Sequence, residues 1–369
     1  MKLKIITKDI SELEKAWGEL FETSEHHNPF LSWEWCNIWW KHFGTNRRLM
    51  VLAIERDGQI VSLAPLMVEQ SKTFRRPVVR FIGSNLADYS DFLVGREETE
   101  SAKLFWDYLG GMNNGTKITL SRFAEDSPSF LFLRNPSNRD KKTVVEAVNT
   151  SPYVKITGGW DEFYKNINKS IKKDLNWCTN KLAKAGSVSF DRKSAIDSKT
   201  IEQMFAIQIK RQQYKPRKSQ FEDNSVRNFF AEVADSFSKK GWLDFASLSL
   251  DEKIIAYVFG FRLNGTVFYW NVSFDPDYQQ FSPGKSLLKF LLEDSFKKGD
   301  RIFDFMIGDE SYKSHWATGK KECFAVTMYP NKTSRYIEQT VNRTRNYLKE
   351  KRLKYKSLNR VWIKISKYL

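Results

Sequence analysis

The sequence has few of the side chains that build metal sites and disulfide frameworks. Its 369 residues include three cysteines, Cys36, Cys178 and Cys323, whose spacing fits no zinc motif and whose odd number does not indicate paired disulfides. Only four histidines occur, which argues against a histidine-rich zinc site. We therefore expect buried, reduced thiols, no bound metal and a cytoplasmic location.

Long apolar runs are also lacking. No stretch approaches the roughly 18 uncharged apolar residues of a membrane-spanning helix, and residues 1–17 lack the apolar core of a secretory signal. Apolar residues nevertheless make up 41% of the chain and aromatic residues 15%, which is enough for packed cores. The composition therefore predicts a folded cytoplasmic protein that crosses no membrane.

The positive charge is concentrated at one end of the chain. The net charge is +16, and residues 331–369 contribute twelve basic and two acidic side chains, a net of +10. Five apolar residues of this tail recur at helical spacing and predict a basic amphipathic helix: Tyr355, Leu358, Trp362, Ile365 and Leu369. Such a helix suits an anionic surface on the inner face of a membrane, packing against the second domain, or RNA. These three interpretations stay open.

The rest of the chain divides into two halves of similar design. Residues 136–152 are polar with prolines near both ends, which indicates a boundary. We predict a first domain over 1–150, a second over 151–330 and a helical tail over 331–369. Both halves place a helix first, then strands joined by a turn, then a helix after a long loop. This order predicts an α+β fold with a mixed sheet, duplicated in tandem.

Local signals place several elements. Asp57-Gly58 and Asn264-Gly265 each separate two apolar runs and predict β-hairpins. Ser32 is placed to cap a helix that carries Trp33, Trp35, Trp39 and Trp40. We expect these tryptophans in the core or at a domain interface, with a sugar-stacking platform as the less favoured interpretation.

The most informative segment is 268–316, in which a strand, a polar loop, a helix and a second strand follow one another. Pro283 suits the first turn of the helix, and Gly284 lets a ligand approach the backbone. The free N–H groups of that turn, the helix dipole and Lys285 together form an anion site. The returning strand, residues 301–306, is expected beside the first, with a pyrophosphate-bearing ligand between them.

The loop at residues 279–284 resembles the pyrophosphate loop of GNAT acyltransferases, whose pattern is Q/R-x-x-G-x-G/A. It fits at Gln279 and Gly284 and departs at Ser282, where the pattern has glycine. Flanking motifs extend the resemblance to the GNAT-type domain of bacterial cellulose and exopolysaccharide loci, which is related to Fem-type aminoacyl ligases. These motifs are Phe274-Asp275-Pro276, Tyr278, Phe303-Asp304-Phe305, Gly308, Tyr312-Lys313 and Trp316.

The first half resembles the same family. The residues concerned are Pro29-Phe30, Trp35, Trp39, Pro65-Leu66 and Asp88-Tyr89-Ser90-Asp91. The resemblance covers about residues 10–320. It implies two GNAT-like halves, of which the second carries the donor loop and the first does not.

The resemblance implies acetyl-CoA or another acyl-CoA as co-substrate. The implied donor-binding residues are Trp270, Asn271, Val272, Gln279, Phe281, Ser282, Pro283, Gly284, Lys285 and Ser286. The implied catalytic residues are Asp304, Tyr312, Lys313 and His315. The acceptor is expected to contact Asp88, Tyr89, Asp275 and Tyr278.

The implied reaction is direct attack of an amine on the thioester carbonyl, without a covalent enzyme intermediate. Asp304 and His315 are the candidate bases, although Asp304 equally suits a structural pairing. Tyr312 is the candidate acid for the leaving thiolate, and a structural role for Tyr312-Lys313 stays open. A backbone N–H within residues 270–272 would polarise the carbonyl.

We therefore expect an N-acyltransferase that acts on an amino sugar or another amine, small or lipid-linked, in bacterial surface polysaccharide biosynthesis. One alternative is a Fem-like ligase that takes its aminoacyl group from tRNA. The basic tail suits that donor, but the chain lacks the long coiled-coil hairpin of many such ligases. A second alternative is a catalytically inactive adaptor with the same fold. Apart from tRNA under the first alternative, no nucleic-acid partner is expected.

Overall fold

The computed structural model describes residues 1–24, 28–71, 75–96, 98–112, 115–213 and 218–354. The strands are β1 Lys2–Ile6, β2 Arg48–Arg56, β3 Gln59–Gln70, β4 Pro77–Phe81, β5 Leu93–Val94, β6 Lys117–Ala124, β7 Thr143–Lys155, β8 Val188–Lys193, β9 Leu243–Leu250, β10 Lys253–Leu263, β11 Thr266–Phe274, β12 Ile302–Asp304 and β13 Gly319–Met328. The α-helices are α1 Glu14–Thr23, α2 Trp33–Phe43, α3 Thr99–Gly110, α4 Pro128–Arg134, α5 Trp160–Asn166, α6 Lys169–Ala183, α7 Ser198–Gln213, α8 Asn224–Lys239, α9 Pro283–Lys297, α10 Ser311–Ser314 and α11 Lys332–Lys354. Both predicted hairpins form, as β2–β3 and β10–β11.

The strands build one mixed sheet. Its order is β1-β2-β3-β4-β6-β13-β7-β12-β11-β10-β9-β8, with β5 beside β3. From either edge toward the centre, four antiparallel strands lead to a parallel pair, β4–β6 in the first half and β11–β12 in the second. The predicted duplicated α+β fold with a mixed sheet is therefore confirmed.

The two halves exchange their last strands at the centre of the sheet. β7 pairs with β12 of the second half, and β13 pairs with β6 of the first half. β7 and β13 also pair with each other, so the sheet is continuous. The polar segment 136–152 contains most of β7, and residue 150 lies within that strand. The division at residue 150 stays a prediction.

Aromatic rings join the two halves on one face of the sheet. Ser32 caps α2 as predicted, because its hydroxyl accepts the N–H of Trp35 at 3.2 Å. The Trp35 ring lies edge-on to Phe229 of α8, with centroids 5.0 Å apart, and to Trp270 of β11, at 5.4 Å. Trp35 and Trp39 are buried in this cluster. The interpretation of the tryptophans as core or interface residues is confirmed.

Helices cover both faces of the second half. α7 and α8 share the face that meets α2, whereas α5, α6 and α9 lie on the opposite face. α9 buries four leucines there, at the helical spacing that the sequence predicts: Leu287, Leu288, Leu291 and Leu292. Because α9 connects two parallel strands, its first turn lies at the sheet edge where β11 and β12 end.

The basic tail begins with α11, which docks on the first half. Glu338 is buried and forms ion pairs with Arg76 and Lys117. The apolar stripe from Tyr355 to Leu369 lies outside the described residues, so the three interpretations of the tail stay predictions. Within the described ranges, no helix combines the length and the apolar character needed to cross a membrane.

Candidate active site

A cleft opens where β11 and β12 separate. The two strands pair in parallel as far as Phe268 opposite Asp304. β11 then continues along β10 to Phe274. The chain after Asp304 instead follows β7, through hydrogen bonds donated by the amides of Phe305 and Gly308. Residues 269–274 and 305–308 are therefore the two walls of the cleft.

β12 is shorter than the sequence pattern predicts. The strand expected over 301–306 ends at Asp304 because Met306 takes a left-handed backbone conformation, with φ of 61°. The Asp304 carboxylate accepts the N–H of Met306 at 2.8 Å, which stabilises this turn. The turn directs the chain away from β11 and so widens the cleft.

A β-bulge lies at the mouth of the cleft. Phe259 of β10 pairs with Asn271 of β11, and Phe261 pairs with Phe268. Between these two pairs the chain moves two residues along β10 but three along β11. The extra residue of β11 is left out of the ladder. The bulge adjoins residues 270–272, where the sequence predicts a backbone N–H that polarises the donor carbonyl.

Gly260 faces this bulge and is expected to be irreplaceable. A Cβ at Gly260 would lie 2.5 Å from the carbonyl oxygen of Phe268, which is backbone and cannot rotate away. We expect Gly260→Ala to lower the free energy of unfolding by about 2–4 kcal/mol, through strain in β11. Chemical denaturation monitored by circular dichroism measures this loss.

Gly18→Ala is the matched control for Gly260→Ala. Gly18 lies within α1 and has no atom within 4 Å of an added Cβ. Alanine there should stabilise the helix by about 0.5–1 kcal/mol. Equal stability of the Gly260→Ala variant and the parent protein would contradict the close approach of the two strands.

The predicted donor loop is a 3-10 turn, Pro276–Phe281, followed directly by α9. Ser282 joins the two in a left-handed conformation, with φ of 50° and ψ of 52°. Glycine adopts this conformation freely, whereas a residue with a Cβ does so at a cost of about 1 kcal/mol. The geometry therefore explains why the loop pattern has glycine where this chain has Ser282.

The first turn of α9 is open and has no acidic side chain. A Cβ at Gly284 would contact only the ring of Phe274, at 3.8 Å. The Ser286 hydroxyl is buried and has no hydrogen-bond partner among the described residues. Pro283 has no N–H and the Lys285 N–H donates to the Ser282 carbonyl at 3.0 Å, so the N–H of Gly284 and the helix dipole are what suit this turn to an anion.

α6 lies across the donor loop. Lys285 forms an ion pair with Asp174 of α6 at 2.6 Å, and Lys181 donates a hydrogen bond to the carbonyl of Gln280 at 3.1 Å. Both side chains of the Lys285 pair are about half exposed, so this pair contributes little to stability. The Lys285 ammonium group is therefore free to turn toward a bound phosphate.

Asp304 lies at the centre of a hydrogen-bond network between the halves. One carboxylate oxygen accepts from the Tyr89 hydroxyl at 2.8 Å, and the other accepts from the Ser151 hydroxyl and the Met306 amide, both at 2.8 Å. Asp304 is 6% exposed, and burial raises its pKa. Because both oxygens are occupied, the geometry favours a positioning role, and the predicted catalytic role stays a prediction.

Asp88, from the first half, reaches the same wall of the cleft. Its carboxylate accepts the N–H of Ile307 and lies 4.0 Å from the Arg122 guanidinium. Burial raises the pKa of Asp88 to about 6, although Arg122 and Lys313 oppose the rise. The side chain is partly exposed, so Asp88, unlike Asp304, has carboxylate surface that a ligand can reach.

Lys313 anchors the second wall of the cleft. Its ammonium group donates to the carbonyl of Ile307 at 3.1 Å and forms an ion pair with Glu310 at 2.9 Å. Only 4% of Lys313 is exposed. A Cβ at Gly308, where φ is 143°, would collide with both charged groups. Lys313 therefore fixes the backbone of this wall.

Tyr312 belongs to a second polar group at the cleft. Its hydroxyl and that of Tyr269 share a hydrogen bond, and burial raises the pKa of both. Arg211 of α7 lies near these hydroxyls, with its guanidinium 4.4 Å above the ring of Phe274. Within the described part of the chain Arg211 has no acidic partner, and burial lowers its pKa.

A comparison with protein-family models finds a match within the second half. Residues 169–314 match the model described as acetyltransferase (GNAT) domain. Over those residues this half is similar to a GNAT acetyltransferase domain. The matched segment includes the bulge, the donor loop, the cleft and α10.

The fold of the whole chain is shared with solved structures of low sequence identity. FemX has a TM-score of 0.59 at 9% identity, over 87% of this chain and 97% of its own. L-PGS from Bacillus licheniformis has a TM-score of 0.52 at 12% identity, over 87% of this chain and 98% of its own. The C-terminal domain of a putative lysylphosphatidylglycerol synthetase from Agrobacterium fabrum has a TM-score of 0.54 at 11% identity, over 90% of this chain and 95% of its own. At such identities the likeness concerns the fold alone. The comparison with curated proteins gives no match.

The first half differs from the GNAT domain at the corresponding helix. α3 precedes β6, the parallel partner of β4, as α9 precedes β12, the parallel partner of β11, but Glu98 precedes the first residue of α3 and Glu100 lies in its first turn. Glu98 is buried and paired with Arg56 at 2.7 Å. Carboxylates at this position repel a phosphate. The expectation that only the second half binds a donor stays a prediction.

Two residues predicted to contact the acceptor, Asp275 and Tyr278, follow the β11 wall of the cleft, and that contact stays a prediction. Asp275 caps the 3-10 turn and pairs with Lys210 at 2.7 Å and Lys253 at 3.3 Å. Burial raises the pKa of Asp275, but hydrogen bonds from Lys210 and the turn hold it below its ordinary value. The ring of Tyr278 lies 4.9 Å from the Lys253 ammonium group. Both residues therefore fix the loop.

His315 is exposed on another side of α10. It lines a cavity of about 380 Å³ between α5 and residues 315–318, together with Lys155, Glu162 and Asn168. No donor-loop residue lines that cavity. Among the described residues, no group of three or more His, Cys, Asp or Glu side chains could hold a metal ion.

Sequence reasoning missed the contribution of α7. Ile201, Phe205, Gln208 and Arg211 follow one helical face, which is apolar at its start and polar at its end. The Gln208 amide oxygen is buried without a partner among the described residues, and Arg211 reaches β11. A basic residue that continues an apolar helical stripe was the available signal.

Proposed function

We propose that the protein transfers an acyl group from acyl-coenzyme A to the amine of a small-molecule or lipid-linked acceptor. The favoured acceptor is an amino sugar of a surface polysaccharide. The observation that carries the proposal is the open, acid-free first turn of α9 at Gly284, beside the cleft between β11 and β12. The turn suits a pyrophosphate, and the cleft suits the extended thioester arm.

Two groups at the cleft suit the proton transfers of this reaction. The amine nitrogen attacks the thioester carbon, a C–N bond forms, the C–S bond breaks, and the thiolate leaves. In our proposal Asp88 takes the proton from the amine and Tyr312 gives one to the thiolate. A backbone N–H at the β11 bulge stabilises the oxyanion. Asp304 and Lys313 hold the opposite wall of the cleft.

The acceptor is proposed to bind between the halves. Asp88 and Tyr89 of the first half lie against residues 304–308 of the second. A carboxylate that is partly exposed suits an amine, which is cationic before it reacts. The Arg211 guanidinium, which has no acidic partner in the described ranges, suits an anionic group on one of the two substrates.

A Fem-like, aminoacyl-tRNA-dependent ligase is the second candidate. The shared fold with FemX and the basic tail favour it. The same cleft would then hold an ester in place of a thioester. The two candidates differ in donor, so donor binding distinguishes them.

Calorimetry with coenzyme A, acetyl-coenzyme A and a longer acyl-coenzyme A tests the proposal. We expect binding in the micromolar range and release of free thiol when an amino sugar is added. Binding of aminoacyl-tRNA alone would replace the proposal by the second candidate. No binding of either donor would favour an inactive adaptor.

A further inference from the structure

An exposed tryptophan lies beside the donor loop. Trp177 of α6 is 55% exposed, although most tryptophans of the described chain are buried or half-buried. It occupies the helical face of Asp174, which contacts Lys285 at the start of α9, and Lys181, which contacts the donor loop. Its exposure therefore coincides with the edge of the proposed donor site.

Lys181 fixes the ring of Trp177. The Lys181 ammonium group lies 4.7 Å from the centre of the Trp177 ring and 5.6 Å from that of Phe281 in the donor loop. It also donates its hydrogen bond to the Gln280 carbonyl. A contact between a cation and a ring face contributes about 0.5–1 kcal/mol at an exposed site. Trp177 thus presents an exposed aromatic surface with a positive charge beside it.

We propose that Trp177 is the stacking platform for the adenine base of the donor, with Lys181 beside its phosphates. The inference rests on the proposed function, because it takes the pyrophosphate to lie at the first turn of α9. Lys285, in that turn, contacts Asp174, one helical turn before Trp177. An adenosine joined to that pyrophosphate therefore lies within reach of the ring. Stacking on an aromatic side chain contributes strongly to nucleotide binding.

Two candidate donors, coenzyme A and the 3′ end of tRNA, present an adenine next to phosphate. 4′-Phosphopantetheine presents phosphate without adenine. Comparison of these three probes separates the adenine contact from the phosphate contact. It also separates the two sources of adenine.

The test measures binding of each probe by calorimetry to the parent protein, Trp177→Ala and Trp177→Phe. We expect Trp177→Ala to weaken coenzyme A binding about ten- to a hundredfold and Trp177→Phe to weaken it less, because phenylalanine retains a ring. Binding of 4′-phosphopantetheine should not change. Tyr336→Ala is the control, since Tyr336 is 71% exposed on α11.

The other outcomes of this test would overturn the platform, the proposed function or coenzyme A as the donor. Equal coenzyme A affinity in the parent and Trp177→Ala proteins overturns the platform and leaves the proposed function standing. If the parent protein binds neither coenzyme A nor 4′-phosphopantetheine, the proposed function itself fails. If a CCA-ending RNA hairpin binds and coenzyme A does not, and RNA binding weakens in Trp177→Ala, the adenine platform is supported and coenzyme A is overturned as the donor.

Discussion

Gly284→Glu is expected to abolish binding of acyl-coenzyme A, with a loss of affinity of at least about a hundredfold. The added carboxylate would occupy the open space at the first turn of α9, where Gly284 meets only Phe274. It would also place a negative charge where the helix dipole favours a phosphate. Calorimetry with coenzyme A measures the effect, and thermal unfolding confirms that the variant is folded.

Two variants separate charge at the site from general damage. Gly284→Ala adds only a methyl group at van der Waals distance and should bind the donor within a few-fold of the parent. Gly110→Glu makes the same substitution at the end of α3, in open space and away from the GNAT domain. It should leave binding unchanged. Unaltered coenzyme A affinity in Gly284→Glu would show that the pyrophosphate does not bind at α9.

Asp88→Asn is expected to reduce kcat/KM about a hundredfold or more, because an amide cannot accept the proton of the amine. The pKa of Asp88 is about 6, so kcat/KM of the parent protein should fall as the pH decreases through this value. The variant should lose this acidic limb. Stability should not fall, since burial already disfavours the charged form in the folded state and asparagine resembles the neutral form.

Asp304→Asn distinguishes a catalytic from a positioning role for the buried carboxylate. The amide replaces one acceptor oxygen by a donor, so the hydroxyl of Tyr89 or Ser151 loses its acceptor. We expect a loss of about 1–3 kcal/mol in the free energy of unfolding and an unchanged acidic limb of the pH profile. A stable Asp304→Asn variant without that limb would assign the base to Asp304, and full activity of Asp88→Asn would remove Asp88 from the mechanism.

Local patterns predicted most elements of the fold. Asp57-Gly58 and Asn264-Gly265 form hairpins because these residues accept the positive φ that tight turns require. Ser32 begins α2 because its hydroxyl satisfies a free N–H group. The loop before α9 could be located because Pro283, with its fixed φ, suits the first position of a helix. Each of these features depends on a few neighbouring residues, so the sequence determines it directly.

The sequence did not predict which distant strands pair with each other. The polar, proline-flanked segment 136–152 has the composition of a boundary, yet most of β7 lies within it. β7 forms there because β12 and β13, from distant parts of the chain, supply its hydrogen-bond partners. β12 is shorter than its apolar pattern because the Asp304 carboxylate stabilises a turn at Met306. The local composition of these segments shows neither the strands that pair with β7 nor the turn at Met306.

The sequence by itself determined that a helix starts at Pro283 after a polar loop, because the fixed φ of proline suits the first turn of a helix whatever the rest of the fold. Only the tertiary structure decided which side chains face that turn and the cleft. Tyr89 and Asp304 are 215 residues apart in sequence, and their hydroxyl and carboxylate are 2.8 Å apart in space. Arg211 contacts β11 and Trp177 lies beside the donor loop, and the patterns of α7 and α6 do not show which strand or loop each helix packs against. Such contacts follow from the packing of the two halves across one continuous sheet, because burial and hydrogen bonding then act between residues that no local pattern connects.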